Sequence, residues 1–193
     1  MNLKNKILLV ILAALLGFAG MATAGKQGIS FYGGLGLSAV APKSINGFEF
    51  DPAAGGNAFL GIEEDGWFLE YLGVATAKTG TNNPNIEYAV QGGVGSLGYR
   101  TLETKSGLYF LLSLGRASLD ATETEVGQPD VTGNYSGNAV SIGMGMRLDK
   151  TERIELDYSF MRLTDDQVPG SDFDAYMLTL RYIWGGNPYD PRF

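Results

Sequence analysis

The chain has 193 residues, 14 Lys and Arg against 21 Asp and Glu, a net charge of −7, and neither cysteine nor histidine. No disulfide framework or thiolate site is possible, and a Ser–His–Asp relay is excluded. An acidic chain without a basic face also argues against nucleic acid as a partner.

The first segment reads as a secretory leader. Lys4 and Lys6 form a positive n-region, residues 7–18 an apolar run, and Ala22-Thr23-Ala24 an A-x-A cleavage site, with Gly25 the first mature residue. The apolar run is short for a membrane span, which needs about 20 residues. Removal of residues 1–24 leaves 169 residues (193 − 24) with a net charge of −9 (12 − 21), the size of one domain spanning 25–184. Residues 185–193 form a tail.

Beyond the leader the periodicity is two, and the expected strands are 29–40, 55–63, 66–75, 86–102, 107–119, 136–148, 152–163 and 172–184. Their connections alternate in length. The short ones are Glu64-Asp65, 103–106 and 149–151, and Asp65-Gly66 signals a type I′ hairpin. The long ones are 41–54, 76–85, 120–135 and 164–171, rich in Gly, Pro, Asn, Asp and Thr. An even strand count with short turns on one side and long loops on the other is the layout of a transmembrane barrel. The fold expected is therefore all-β, an eight-stranded antiparallel up-and-down transmembrane β-barrel.

The alternation assigns the faces. Ile154, Leu156, Tyr158 and Phe160 point one way, and Arg153, Glu155, Asp157 and Ser159 the other. The same split places Trp67, Leu69 and Tyr71 opposite Phe68 and Glu70, and Tyr182 and Trp184 opposite Arg181. A soluble lipid-binding barrel would turn the aliphatic face inward. A membrane barrel turns it to lipid, and so large an apolar band would aggregate in water. Trp67, Tyr99, Tyr182 and Trp184 fall near the short-turn ends, as an interfacial aromatic girdle would.

Gly93, Gly95 and Gly98 in GGVGSLGYR match G-x-G-x-x-G. That fingerprint works only where a strand opens into a helix whose N-terminus meets the phosphate. Here a turn and another strand follow, so no dinucleotide is implied. Gly93 and Gly95 share parity with Glu87 and Gln91 and are expected to face the lumen, as are Gly143, Gly145, Gly34 and Gly36. Small residues opposite large ones leave room inside a narrow barrel. Leu97 and Tyr99 read as lipid-facing, so a bulge is expected near Gly95-Ser96.

The inward charges cluster toward the periplasmic ends: Glu63, Glu70, Glu155 and Asp157 against Arg100, Arg147 and Arg181, with Arg153 at their margin. Eight strands enclose space only for side chains, so the expectation is an ion-paired plug; the alternative is a proton or ion path through a narrow porin-like channel. Glu155 and Asp157 share a face, yet nothing supplies an activated nucleophile, and the chain reads as no enzyme. Asp120, Glu123, Glu125 and Asp130 make the third long loop acidic, and Asp165, Asp166 and Asp172 the fourth. No calcium-loop spacing occurs, so no metal or cofactor is expected; the bland reading is a solvated, repulsive surface and the functional one a partner site.

With its leader, eight alternating strands and short-turn/long-loop rhythm, the mature chain resembles the small outer-membrane barrel families: the outer-membrane protein A transmembrane domain, outer-membrane protein X and the opacity-type proteins. The resemblance implies a monomer in the bacterial outer membrane, in contact with its lipid and lipopolysaccharide, with a structural or surface-interaction role and a host or surface ligand at the loops. The closing strand AYMLTLRYIW is similar to the aromatic-closed strand that the outer-membrane insertion machinery recognises in these families. Nine residues follow it here, so either Trp184 or Phe193 carries that signal.

Overall fold

The computed structural model describes residues 29–43, 50–101, 103–165 and 172–186. The expected leader, its Ala24-Gly25 cleavage site, Phe193 and most of the fourth long loop lie outside the described residues. Strands β1 (Ser30–Pro42), β2 (Ala53–Glu64), β3 (Trp67–Thr76), β4 (Thr79–Gly80), β5 (Ile86–Arg100), β6 (Leu108–Glu125), β7 (Val131–Arg147), β8 (Glu152–Asp165) and β9 (Asp172–Gly185) follow in order. Every neighbour pair is antiparallel. Pairing of β3 with β5 and of β1 with β9 closes eight of them into a barrel. The ninth, β4, is a two-residue addition to the far end of β5, pairing Thr79 with Tyr88.

The turns form as their residues require. Asp65 and Gly66 both have positive φ, 50° and 85°, as a type I′ turn demands. Past Trp184 the chain bends through Gly185 and Gly186 at φ 84° and 82°, and the Gly186 N–H donates to the Phe31 carbonyl at 2.7 Å. Each strand presents one apolar face outward. On β8 the exposed Ile154, Leu156, Tyr158 and Phe160 lie between Glu152 and Arg162. Those ten residues (162 − 152) at about 3.3 Å each make about 33 Å of strand, or about 25 Å of membrane at a tilt near 40°. That is the thickness of an outer-membrane apolar band.

Three expectations are corrected. The stretch 120–135 is no irregular loop: β6 and β7 pair continuously out to Glu123↔Val131, and only residues 126–130 turn. Above the membrane both faces of a strand meet water, so the apolar alternation that marks strands disappears there. Gly93 and Gly95 do not face the lumen. Tyr88, Val90, Val94 and Arg100 are the buried set on β5, while Gly95, Leu97 and Tyr99 are exposed. Glu87 and Gln91 misled the parity because they sit beyond the membrane, where an outward polar residue is hydrated. The bulge at Gly95-Ser96 is likewise absent, since Gly95↔Arg116 and Ser96↔Gly115 continue one unbroken register.

Candidate functional site

The periplasmic half of the lumen holds a buried ionic network centred on Glu155, which is fully buried. Arg100 donates to it from Nε at 2.7 Å and from Nη2 at 3.4 Å, Tyr109 from its hydroxyl at 2.7 Å, and Arg181 from Nη2 at 2.6 Å. Arg100 also reaches Glu63 at 3.2 Å and Glu70 at 3.7 Å. Arg153 donates to Glu63 at 3.0 Å. Arg181 pairs with Glu70 and, at 2.7 Å, with Asp157. Tyr32 donates to Glu70 at 2.9 Å. Aromatic faces complete the shell, with the Arg100 guanidinium 4.0 Å from the Phe68 ring centre and that of Arg181 4.8 Å from Phe59.

Seven barrel strands supply these groups: β1 Tyr32, β2 Glu63, β3 Glu70, β5 Arg100, β6 Tyr109, β8 Arg153, Glu155 and Asp157, β9 Arg181. The eighth, β7, supplies space. A side chain at Gly143 would meet the Asp157 carboxylate, and one at Gly145 the Tyr109 ring. Three guanidiniums thus face four carboxylates. Asp157 is the least engaged of the four, with its Oδ1 unbonded among the described residues. A charge in such a place is tolerable only when paired, because desolvation alone costs several kcal/mol per ion.

The structure brings together six of the seven expected lumen charges and separates the seventh. Arg147, at the periplasmic end of β7, turns to Glu103 in the neighbouring connection, donating from Nε at 2.7 Å. Arg153 joins the network through Nη1, which donates to both Glu63 carboxylate oxygens. Tyr32 and Tyr109 are additions that sequence reasoning passed over; the parity of Tyr109, opposite to Leu108 and Phe110, was the available signal.

The lumen is not polar throughout, which corrects the expectation of a charged and glycine-lined interior. Along the inward face of β8, Arg153, Glu155 and Asp157 give way to Ser159 and then to Met161 and Leu163. Other strands repeat the sequence. A hydroxyl and amide layer follows the charges: Asn57 donates to Ser38 at 2.9 Å, and the Ser141 and Ser159 hydroxyls lie 2.8 Å apart. A cavity of about 20 Å³ opens here between Asp157, Ser113, Ser141 and Thr179, enough for a single water-sized guest. Leu72, Val94 and Met177 line it as well, and above it Val40, Leu119, Met161 and Leu163 pack as an apolar layer. Phe50 and Tyr88, edge to face at 5.1 Å, lie at its top.

On the outer surface Trp67 and Tyr99 meet at 5.3 Å, and Tyr182 and Trp184 at 5.7 Å, all at the periplasmic edge of the apolar band. At the opposite edge the strands continue past the band. β5, β6 and β7 rise as a ribbon through Ile86↔Glu125 and Glu123↔Val131, tipped by exposed Val126 and Val131. Asp120, Glu123, Glu125 and Asp130 belong to it, and Lys78 donates to Thr124 on its flank at 2.6 Å. No set of three or more acidic side chains among the described residues is arranged to hold a metal.

Comparison with known proteins agrees with this architecture. Neisserial surface protein A is similar at a TM-score of 0.60 and 16% identity, over 82% of this chain and 99% of its own. Ail, the attachment invasion locus protein of Yersinia pestis, gives 0.54 and 16% over 82% of this chain and 100% of its own. The N-terminal barrel domain of Pseudomonas aeruginosa OprF gives 0.50 and 14%, over 82% and 98%. No curated protein matches in sequence. The family model for the outer membrane protein beta-barrel domain matches residues 10–184. The chain belongs to that family, a small eight-stranded β-barrel of the bacterial outer membrane.

Proposed function

We propose that this barrel is a non-conducting, non-enzymatic surface protein whose working part is its acidic extracellular ribbon. The observation that carries the reading is the filling of the lumen: the Glu155 network is backed by an apolar layer running from Val40 to Met177. Ions would have to displace three buried guanidiniums and then cross an apolar layer, each step costing several kcal/mol. What remains open to a partner is the end that stands in water.

That end is acidic. Asp51, Glu87, Asp120, Glu123, Glu125, Asp130 and Asp165 surround it among the described residues, with Lys78 the cation in their midst. Complementary charge governs encounter and choice of partner, so the reading is a cationic partner, such as a lysine-rich surface polypeptide. Ail is described as an attachment invasion locus protein and in complex with a heparin analogue. An attachment-type role fits this chain as well, with the partner's charge reversed. Outer-membrane lipid surrounds the apolar belt, and the chain acts as a monomer.

The test is retention of bacteria displaying the protein on immobilised polylysine and on immobilised heparin. Retention on polylysine should fall when Asp120, Glu123, Glu125 and Asp130 become the corresponding amides. Equal retention of that variant, or preferential capture by heparin, overturns the proposal.

A further inference from the structure

The cavity between the ionic network and the apolar layer, about 20 Å³, is lined on its polar side by oxygen. Two carboxylates border it, Glu70 and Asp157, with five hydroxyls, those of Ser96, Ser113, Ser141, Ser159 and Thr179. The strand register assembles them. Ser113 pairs with Ser141, Ser141 with Ser159, and Asp157 with Thr179, so short oxygen-bearing side chains stand side by side on β6, β7, β8 and β9.

The network beneath the cavity is one positive charge short. Glu63, Glu70, Glu155 and Asp157 face Arg100, Arg153 and Arg181, because Arg147 is taken up by Glu103. Arg181, which also borders the cavity, is shared among Glu70, Glu155 and Asp157. The deficit falls on Asp157. Its side chain is 7% exposed, its Oδ2 has only a share of Arg181, and its Oδ1 accepts no hydrogen bond among the described residues. Oδ1 leans over Gly143, where a Cβ would collide with it, toward the strand that carries Ser141.

We propose that this cavity binds one monovalent inorganic cation of about the size of sodium, held by Asp157 Oδ1 and the surrounding hydroxyls. Such an ion gives up its hydration shell where protein oxygens replace it, and the space suits a single water-sized guest. One added charge brings the lumen to four positive and four negative. A divalent ion would overshoot, and it takes more carboxylates than this cavity offers. Water is the rival guest. It would satisfy Oδ1 and accept from the unbonded Nε of Arg181, but the surplus negative charge would stay uncompensated. An unpaired buried ion costs more than an unmade hydrogen bond. With guanidiniums below and the apolar layer above, the ion enters as the barrel folds, so its binding adds to folding stability. The proposal rests on the closed lumen and is independent of what the ribbon binds.

The test is the urea midpoint of the barrel folded in phosphatidylcholine vesicles, read by gel mobility in sodium chloride or choline chloride at one ionic strength. Screening is then equal, and choline is too large for the cavity. The parent's midpoint should rise with sodium and saturate as for one site. Asp157→Asn should abolish the rise. Ser113→Ala, which removes one hydroxyl and no charge, should weaken the apparent sodium affinity about fivefold and serves if Asp157→Asn does not fold. Glu64→Gln, at an exposed carboxylate beside the first periplasmic turn, should keep the parent's response. Equal midpoints in the two salts, the result of a cavity that holds water alone, overturn the proposal. So does a sodium response undiminished in Asp157→Asn and Ser113→Ala. An open lumen would show as conductance in single-channel recording and not in this titration, so the two failures are distinguishable.

Discussion

Glu155→Gln and Asp157→Asn change the lumen charge equally, from three cations and four anions to three and three. If net charge governed stability, they would act alike. The geometry says otherwise. Glu155 accepts four hydrogen bonds, two from Arg100 and one each from Tyr109 and Arg181. Its amide would turn an NH₂ donor toward a guanidinium and leave buried cations short of a counter-ion, at about 3–5 kcal/mol. Asp157 makes one ion pair, through Oδ2 to Arg181 at 2.7 Å, while its Oδ1 is unbonded. Asn keeps an acceptor for Arg181, so the cost should be about 0–1.5 kcal/mol. Reversible urea unfolding in vesicles, followed by gel mobility and tryptophan emission, measures both. Equal losses, or a larger loss for Asp157→Asn, would refute the claim that Glu155 is the keystone and would make the network a matter of charge balance.

Other outcomes are equally specific. Gly143→Ala should cost about 1–3 kcal/mol because its Cβ meets the Asp157 carboxylate and strand backbone, whereas Gly95→Ala, with open space before it on the lipid face, should change stability by less than about 1 kcal/mol; matching effects in the same unfolding assay would contradict the face assignment. Tyr135 lies above the membrane, where burial, with Asp165 and Glu123 nearby, raises its phenol above the usual 10.0. A raised phenol contributes stability that is complete below pH 10 and is lost as pH rises through the folded value, so a Tyr135→Phe difference spectrum near 295 nm should place its ionisation above 10; an ionisation at or below 10 would contradict the packing. Shortening the ribbon by replacing residues 120–135 with a tight turn should leave the folded gel mobility intact, because the membrane-spanning ladder of β6 and β7 from Leu108↔Met146 to Ala117↔Gly137 is retained; failure to fold would show the ribbon to be part of the barrel's core.

The membrane-embedded part of this protein is written plainly in its sequence. Ile154, Leu156, Tyr158 and Phe160 alternate with charges because lipid lies on one side and packed partners on the other. Asp65-Gly66 announces its turn through a backbone demand that few other residues meet. What the alternation does not carry is depth. Glu87 and Gln91 look lumenal until the strand is known to have left the membrane, and that misplaced Gly93 and Gly95. The ribbon from Asp120 to Val131 was hidden for the same reason, being polar on both faces. Within the lumen, Arg147 shared the parity of the network but stands at the strand end, where Glu103 is nearer than Glu155. The apolar layer was legible only as a vertical trend, from Asp157 through Ser159 to Met161 and Leu163 on one parity, and again from Arg181 through Thr179 to Met177 and Ala175. A single strand shows a mixture; only the register of eight shows layers.

We propose that layered packing closes this lumen, the Glu155 network below and the apolar layer above. The most direct test is single-channel recording of the folded barrel in a planar bilayer, with folding confirmed by its heat-dependent gel shift. A silent membrane at physiological salt is expected. Stepwise openings from the parent protein, with ion selectivity altered by Glu155→Gln, would contradict it and establish a channel in its place.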